Sequence, residues 1–397
     1  MANSISPNVT TRRIESIDMV RGLVMVIMAL DHTRDYFHFN AMAGDPMDPE
    51  TTTPFLFFTR FITHFCAPIF VMLSGTSAFL YGNKKSKKEL FFFLFTRGLW
   101  LMLLEITVVR MGWTFNIFLN SSFMFQVIWA IGLCMVILSG LIWLNKNTVL
   151  AIGILIVLFH NVLDPIEIKP DNPMYILWSI LHDPSPIHVG PVHIFTLYPV
   201  LPWLGIMCVG FGLGQIFTSK FQTDRRKKIL LISGVSSIVL FITLRFTNLY
   251  GNGELWSEQP SLLYTMFSFL NVEKYPPSLL FMLMTLGPAC ILLAFAEKIS
   301  GKISNFFVTI GRVPLFYYIL HLYFIHLGIL LVFFLNGGKL SDINYDVNSF
   351  NGMPPNYGYS LPWVYVAWIT IVLLLYPLCK WYGKIKQNST WKGWSYL

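Results

Sequence analysis

The sequence predicts an all-α membrane protein: a polytopic bundle of about ten transmembrane helices, with the N-terminus and C-terminus both cytoplasmic. Three observations carry this expectation. Hydrophobic residues make up 55% of the 397 and charged residues only 12%, with a mean hydropathy of +0.59. A soluble domain carries roughly 25% charged residues, because its surface faces water. Apolar runs of about 20 residues, the length that spans a bilayer core, recur along the chain. Lys and Arg concentrate in alternate connections between those runs, as short cytoplasmic loops do.

In chain order the runs are 16–37, 54–81, 89–110, 122–144, 148–163, 193–217, 228–247, 276–296, 307–335 and 361–382. The fifth is short and ends at Leu163-Asp164-Pro165, where proline marks a stop. Taking residues 1–15 as a cytoplasmic tail, the inside segments hold Arg12, Arg13, Lys84, Lys85, Lys87, Lys88, Lys146, Lys220, Arg225, Arg226, Lys227, Lys228, Lys298 and Lys302. The closing tail, 383–397 with the end of the last run, adds Lys380, Lys384, Lys386 and Lys392. The outside loops hold Lys169, Lys274 and Lys339 and are otherwise acidic. The net charge of +8 is therefore a topology signal and gives no reason to expect nucleic acid. No internal repeat or polar stretch marks a second domain, so 1–397 reads as one membrane domain of a bacterial inner membrane. A homodimer is left open.

Cys66, Cys134, Cys208, Cys290 and Cys379 each lie inside an apolar run, which suggests neither disulfides nor a zinc site. The loop histidines His182, His188 and His193 match no compact zinc spacing, and no metal is expected.

Ionisable groups at membrane depth cost roughly 2.5–3.5 kcal/mol each on insertion scales, so their clusters are informative. In the first run, Asp18 and Arg21 are three apart and share a face. At its outer end come Asp31, His32, Arg34 and Asp35, placing an imidazole near two carboxylates, the setting of a general base. The second run supplies Arg60 and His64, four apart, at a depth similar to Asp31 and His32. Its Ser74-Gly75-Thr76-Ser77 suits close helix packing. Arg97 and Glu105 in the third run read as partners for groups on other helices. The ninth holds Arg312 near the cytoplasmic surface, then Tyr317, Tyr318, His321 and His326. His321 and His326, five apart, point in different directions. The sequence contains no phosphate loop, GxSxG elbow or HExxH, which leaves histidine-centred chemistry or transport.

Five segments then carry a resemblance: RRIESIDMVRGLVMVIMALDHTRDYF, FTRFITHFCAPIFVMLSGTSAFLYG, YPVLPWLGIMCVGFGLG, KYPPSLLFMLMTLGPA and GRVPLFYYILHLYFIH. Together they resemble a bacterial membrane family related to heparan-alpha-glucosaminide N-acetyltransferase. The resemblance implies a transmembrane acyltransferase that moves acetyl from cytoplasmic acetyl-CoA to an amino sugar or glycan outside, with a histidine near the outer side. On it, His32 is the base or acyl carrier with Asp31 orienting its ring, and His38 is an alternative counterpart. Arg34, Asp35, Arg60 and His64 would meet the acceptor or the developing oxyanion. Arg12, Arg13, Arg21, Arg97 and Arg312 would suit the phosphates of the acyl-CoA donor. The rival reading is a proton-coupled secondary transporter or exporter relaying protons through Asp31, His32 and Glu105; the inverted repeats common in such proteins are not evident.

Overall fold

A computed structural model describes residues 15–39, 44–116, 122–343, 352–354, 357–389 and 393. Fifteen α-helices and a small sheet make up these residues. The chain begins with α1 (Glu15–Phe37), α2 (Pro54–Thr63), α3 (Cys66–Gly82) and α4 (Lys87–Leu104). A π-helical turn over Glu105–Val109 leads into α5 (Arg110–Thr114). Then come β1 (Ser122–Phe125), α6 (Val127–Leu141), α7 (Lys146–Phe159), α8 (Tyr175–Leu181), β2 (Pro186–Val189), β3 (Val192–Thr196) and α9 (Val200–Leu213). The chain continues through α10 (Thr223–Thr247), α11 (Leu262–Leu270), α12 (Leu279–Ala296), α13 (Lys302–Gly311), α14 (Pro314–Leu335) and α15 (Leu361–Asn388).

Eight helical segments among the described residues, from Pro54–Gly82 to Leu361–Asn388, are long and apolar enough to cross a membrane. α1 falls outside that set because of its charges, and α6 because it has only 15 residues. This is a multi-pass membrane protein.

Four of the expected runs are not single helices. Run 54–81 breaks at His64-Phe65, between α2 and α3. Pro68 is the cause: it has no N–H for the His64 carbonyl, and its ring would collide with that carbonyl in a continuous helix. Run 307–335 breaks at Arg312-Val313 before Pro314, which opens α14. The first residues of run 122–144 are β1, and those of run 193–217 belong to β3. β3 lies at the centre of the sheet, parallel to β1 and antiparallel to β2. Pro199 separates β3 from α9. At the other end of the chain, α15 continues to Asn388, so residues 383–388 are helix rather than tail.

Between helices in lipid no hydrophobic drive exists, and close backbone approach through small residues takes its place. α1 lies at the centre, packed against α2, α3, α12, α13, α14 and α15. Where it crosses α13, a Cβ on Gly22 would lie 1.8 Å from the Phe307 carbonyl oxygen, and one on Gly311 would lie 1.8 Å from that of Asp18. The Ser74–Ser77 stretch packs as its small residues suggest. A Cβ on Gly75 would fall 2.1 Å from the Met207 carbonyl oxygen of α9, and the Thr76 hydroxyl donates to the Gly210 carbonyl at 2.9 Å.

Candidate active site

The polar groups of α1 and α2 meet directly. Arg60 donates to Asp31 Oδ2 at 2.5 Å, while Arg34 lies 3.2 Å from Asp31 Oδ1 and 2.6 Å from Asp35 Oδ1. Arg60 reaches α1 from one turn before the break that precedes α3. Asp31, Arg34 and His64 are buried. Paired in this way, the charges offset part of the cost of leaving water.

Asp31 does not hold the His32 ring. Adjacent residues on a helix do not face each other; Asp31 Oδ2 accepts from Arg60, and Oδ1 lies within ion-pair distance of Arg34. His32 turns instead to α14, where its Nδ1 lies 2.7 Å from His321 Nε2. The two rings stack with centroids 4.9 Å apart, and Trp113 of α5 meets His32 edge-on at 4.7 Å. His321 Nδ1 in turn lies 3.2 Å from the Tyr317 carbonyl oxygen. His321 is fully buried. Sequence reasoning missed it because its partner is 289 positions away.

His32 lines a cavity of about 40 Å³, with Asp31, Cys66, Tyr198, Lys274 and Tyr318 also on its wall. That is room for a water or a small group. Lys274, expected as an outer-loop charge, is buried here instead, its Nζ 5.0 Å from the centre of the Tyr275 ring. The available signal was its place directly before Tyr275-Pro276-Pro277 and an apolar run. Arg34, Asp35, Arg60 and His64 are not on that wall; they stand behind it. His38 lies on neither this cavity nor the next, and its backbone bridges to Tyr359. Burial, with Arg34 nearby, pulls its imidazole below the ordinary value of 6.5.

A second cavity, of about 340 Å³, lies among Arg21, Arg97, Arg312 and Lys386. Arg21 bonds to Asp18 at 3.0 Å, to the Gly311 carbonyl at 3.2 Å and to the Ser77 hydroxyl at 2.6 Å. Arg312 pairs with Glu15 at 3.1 Å, and the Arg97 guanidinium lies 5.9 Å from the Phe93 ring centre. Arg12 and Arg13 lie outside the described residues. Phe70, Ile128 and Tyr318 line both cavities, so three side chains from α3, α6 and α14 form the partition between them.

Glu105 belongs to neither cavity. Its side-chain Oε2 accepts the Trp129 backbone N–H at 3.1 Å, satisfying one of the free donors at the N-terminus of α6. Of the loop histidines, His182 lies 3.0 Å from Asp164, and His188 and His193 face each other across β2 and β3.

A stacked histidine pair beside a small inner cavity, backed by a larger basic one, lies within this multi-pass helical bundle. The catalytic family model of heparan-alpha-glucosaminide N-acetyltransferase matches residues 13–246, and the chain belongs to that family. No curated protein matches the sequence. The matched region holds Arg21, His32, Arg60 and Arg97, whereas Lys274, Arg312 and His321 lie beyond it.

Proposed function

We propose that the protein transfers an acetyl group from acetyl-CoA on the cytoplasmic side of a bacterial inner membrane to an amino sugar or glycan on the outer side. Ten helices span the membrane in this reading, α1 and α6 included, and both termini are cytoplasmic. One observation carries the proposal: the basic cavity and the His32 cavity are back to back, sharing Phe70, Ile128 and Tyr318. A donor whose phosphates rest on Arg21, Arg97, Arg312 and Lys386 needs only to pass its thioester through that partition to meet the imidazole.

The chemistry follows from the groups present. His32 takes the proton from the acceptor amine or hydroxyl as the acceptor nitrogen or oxygen attacks the thioester carbonyl. The C–S bond breaks, and the proton passes to the departing thiolate to give free CoA. Lys274, on the cavity wall, is the cation nearest to hand for the oxyanion. Arg60, behind the wall, holds Asp31 rather than the acceptor, and His64 meets the Phe281 ring edge-on there.

Purified protein in nanodiscs, given radiolabelled acetyl-CoA and a panel of amino sugars, is expected to label a saccharide, and His32→Ala is expected to remove the label. Undiminished transfer by that variant refutes the assignment.

A further inference from the structure

We propose that His321 is a positioning residue which fixes the His32 imidazole in one tautomer, with its proton on Nδ1 and its lone pair on Nε2. One group in the relay Tyr317–His321–His32 cannot change role. The Tyr317 carbonyl oxygen accepts and never donates, so His321 Nδ1, 3.2 Å away, carries a hydrogen. A neutral imidazole has one N–H, so His321 Nε2 is an acceptor. The atom opposite it, His32 Nδ1 at 2.7 Å, must then donate. His32 Nε2 is left with the lone pair and with no hydrogen-bond partner among the described residues, on a side chain that lines the inner cavity.

The surroundings hold the pair in this state. Tyr317 stacks on the His321 ring at 5.6 Å, Tyr318 meets it edge-on at 5.3 Å, and Trp113 closes the open edge of His32. Asp31, the carboxylate expected to orient His32, is held by Arg60 and Arg34. A neutral imidazole therefore stands where many hydrolases place a carboxylate. When His32 Nε2 gains the acceptor's proton, the Nδ1 proton can shift to His321 Nε2. The positive charge is then shared by two rings, and His321 still donates to Tyr317. His321 touches no substrate; it acts through His32.

The role in turnover rests on the transferase reading, whereas the tautomer does not, and the test separates them. Full-length protein labelled with ¹⁵N-histidine in lipid nanodiscs is examined by solid-state NMR, with the His32 signals identified by their loss in His32→Gln. The expected spectrum shows a protonated Nδ1 and a bare Nε2. In His321→Leu that preference is lost and kcat falls ~10²-fold with the KM for acetyl-CoA unchanged, since the base no longer presents a lone pair. In His321→Gln the amide oxygen can accept from His32 Nδ1, so the tautomer returns and kcat recovers to within about tenfold of wild type. A wild-type His32 protonated on Nε2 overturns the inference. So does a His321→Leu variant with the wild-type tautomer, or a folded His321→Gln variant that shows the Nδ1–H state yet remains as slow as His321→Leu. Wild-type protein with the expected tautomer but no transfer to any acceptor supports the pair and sinks the transferase reading.

Discussion

Replacing Asp31 by Asn is expected to destabilise the protein more than replacing Arg60 by Met, although the two residues are partners in one 2.5 Å bond. The asymmetry comes from the whole cluster. Asp31 and Asp35 supply two negative charges, and Arg34, Arg60 and Lys274 supply three positive ones, all interacting with Asp31 or its neighbours. The cluster is thus +1. Removing Arg60 leaves it neutral, with Asp31 still 3.2 Å from Arg34. Removing Asp31 leaves it at +2, with three cations and one carboxylate. Breaking a buried pair by removing one partner costs about 3–5 kcal/mol when the other charge is stranded. Asp31→Asn belongs in that range, and Arg60→Met at roughly half of it, because the surviving carboxylate keeps a second guanidinium. Both side chains are less than 15% exposed, so solvent screening removes little of the difference. Reversible unfolding by SDS titration in mixed micelles measures both variants and the double variant. An Arg60→Met variant as unstable as Asp31→Asn refutes the charge argument.

Gly22→Ala places a methyl group 1.8 Å from a carbonyl oxygen on α13 and forces the helices apart; overpacking of this kind costs about 1–3 kcal/mol, visible in the same titration. His38 titrates below its ordinary value of 6.5, so the unfolded chain binds more protons there than the folded one. Stability is therefore full above pH 6.5 and is lost as pH falls below it, and His38→Gln should flatten the dependence of Tm on pH between pH 7.5 and 5.5. Phe70→Trp enlarges the partition between the cavities and is expected to lower acetyl transfer at least tenfold while leaving equilibrium binding of CoA intact. Equal losses in binding and transfer would show that the cavities do not communicate there.

Hydropathy and charge gave the helices and their order well, because each depends on composition over about 20 residues. The approach of Arg60 and His64 to Asp31 followed from depth alone. The strands at 122–125 and 192–196 were invisible for the same reason: Ser-Phe-Met-Phe and Val-His-Ile-Phe-Thr are as apolar as the helices they precede. Proline was the readable warning at positions 68, 199 and 314, and each marks a helix boundary or a break beside one. The histidine pair could not be read from one chain at all. Local spacing offered Asp31 and Asp35 as partners for His32, and the true partner comes from α14. Lys274 was hidden by the same rule that oriented the bundle, which treats every loop cation as a water-facing one.

The partition of Phe70, Ile128 and Tyr318 has a further consequence for the cell. In the proposed reaction, with donor and acceptor approaching from opposite faces, these three side chains stand between the two compartments. In that proposed reaction the acyl group crosses where protons and ions must not. Widening the partition to admit bulkier donors would then bring leakage with it, so the choice of acyl group and the electrical tightness of the membrane are set by the same side chains.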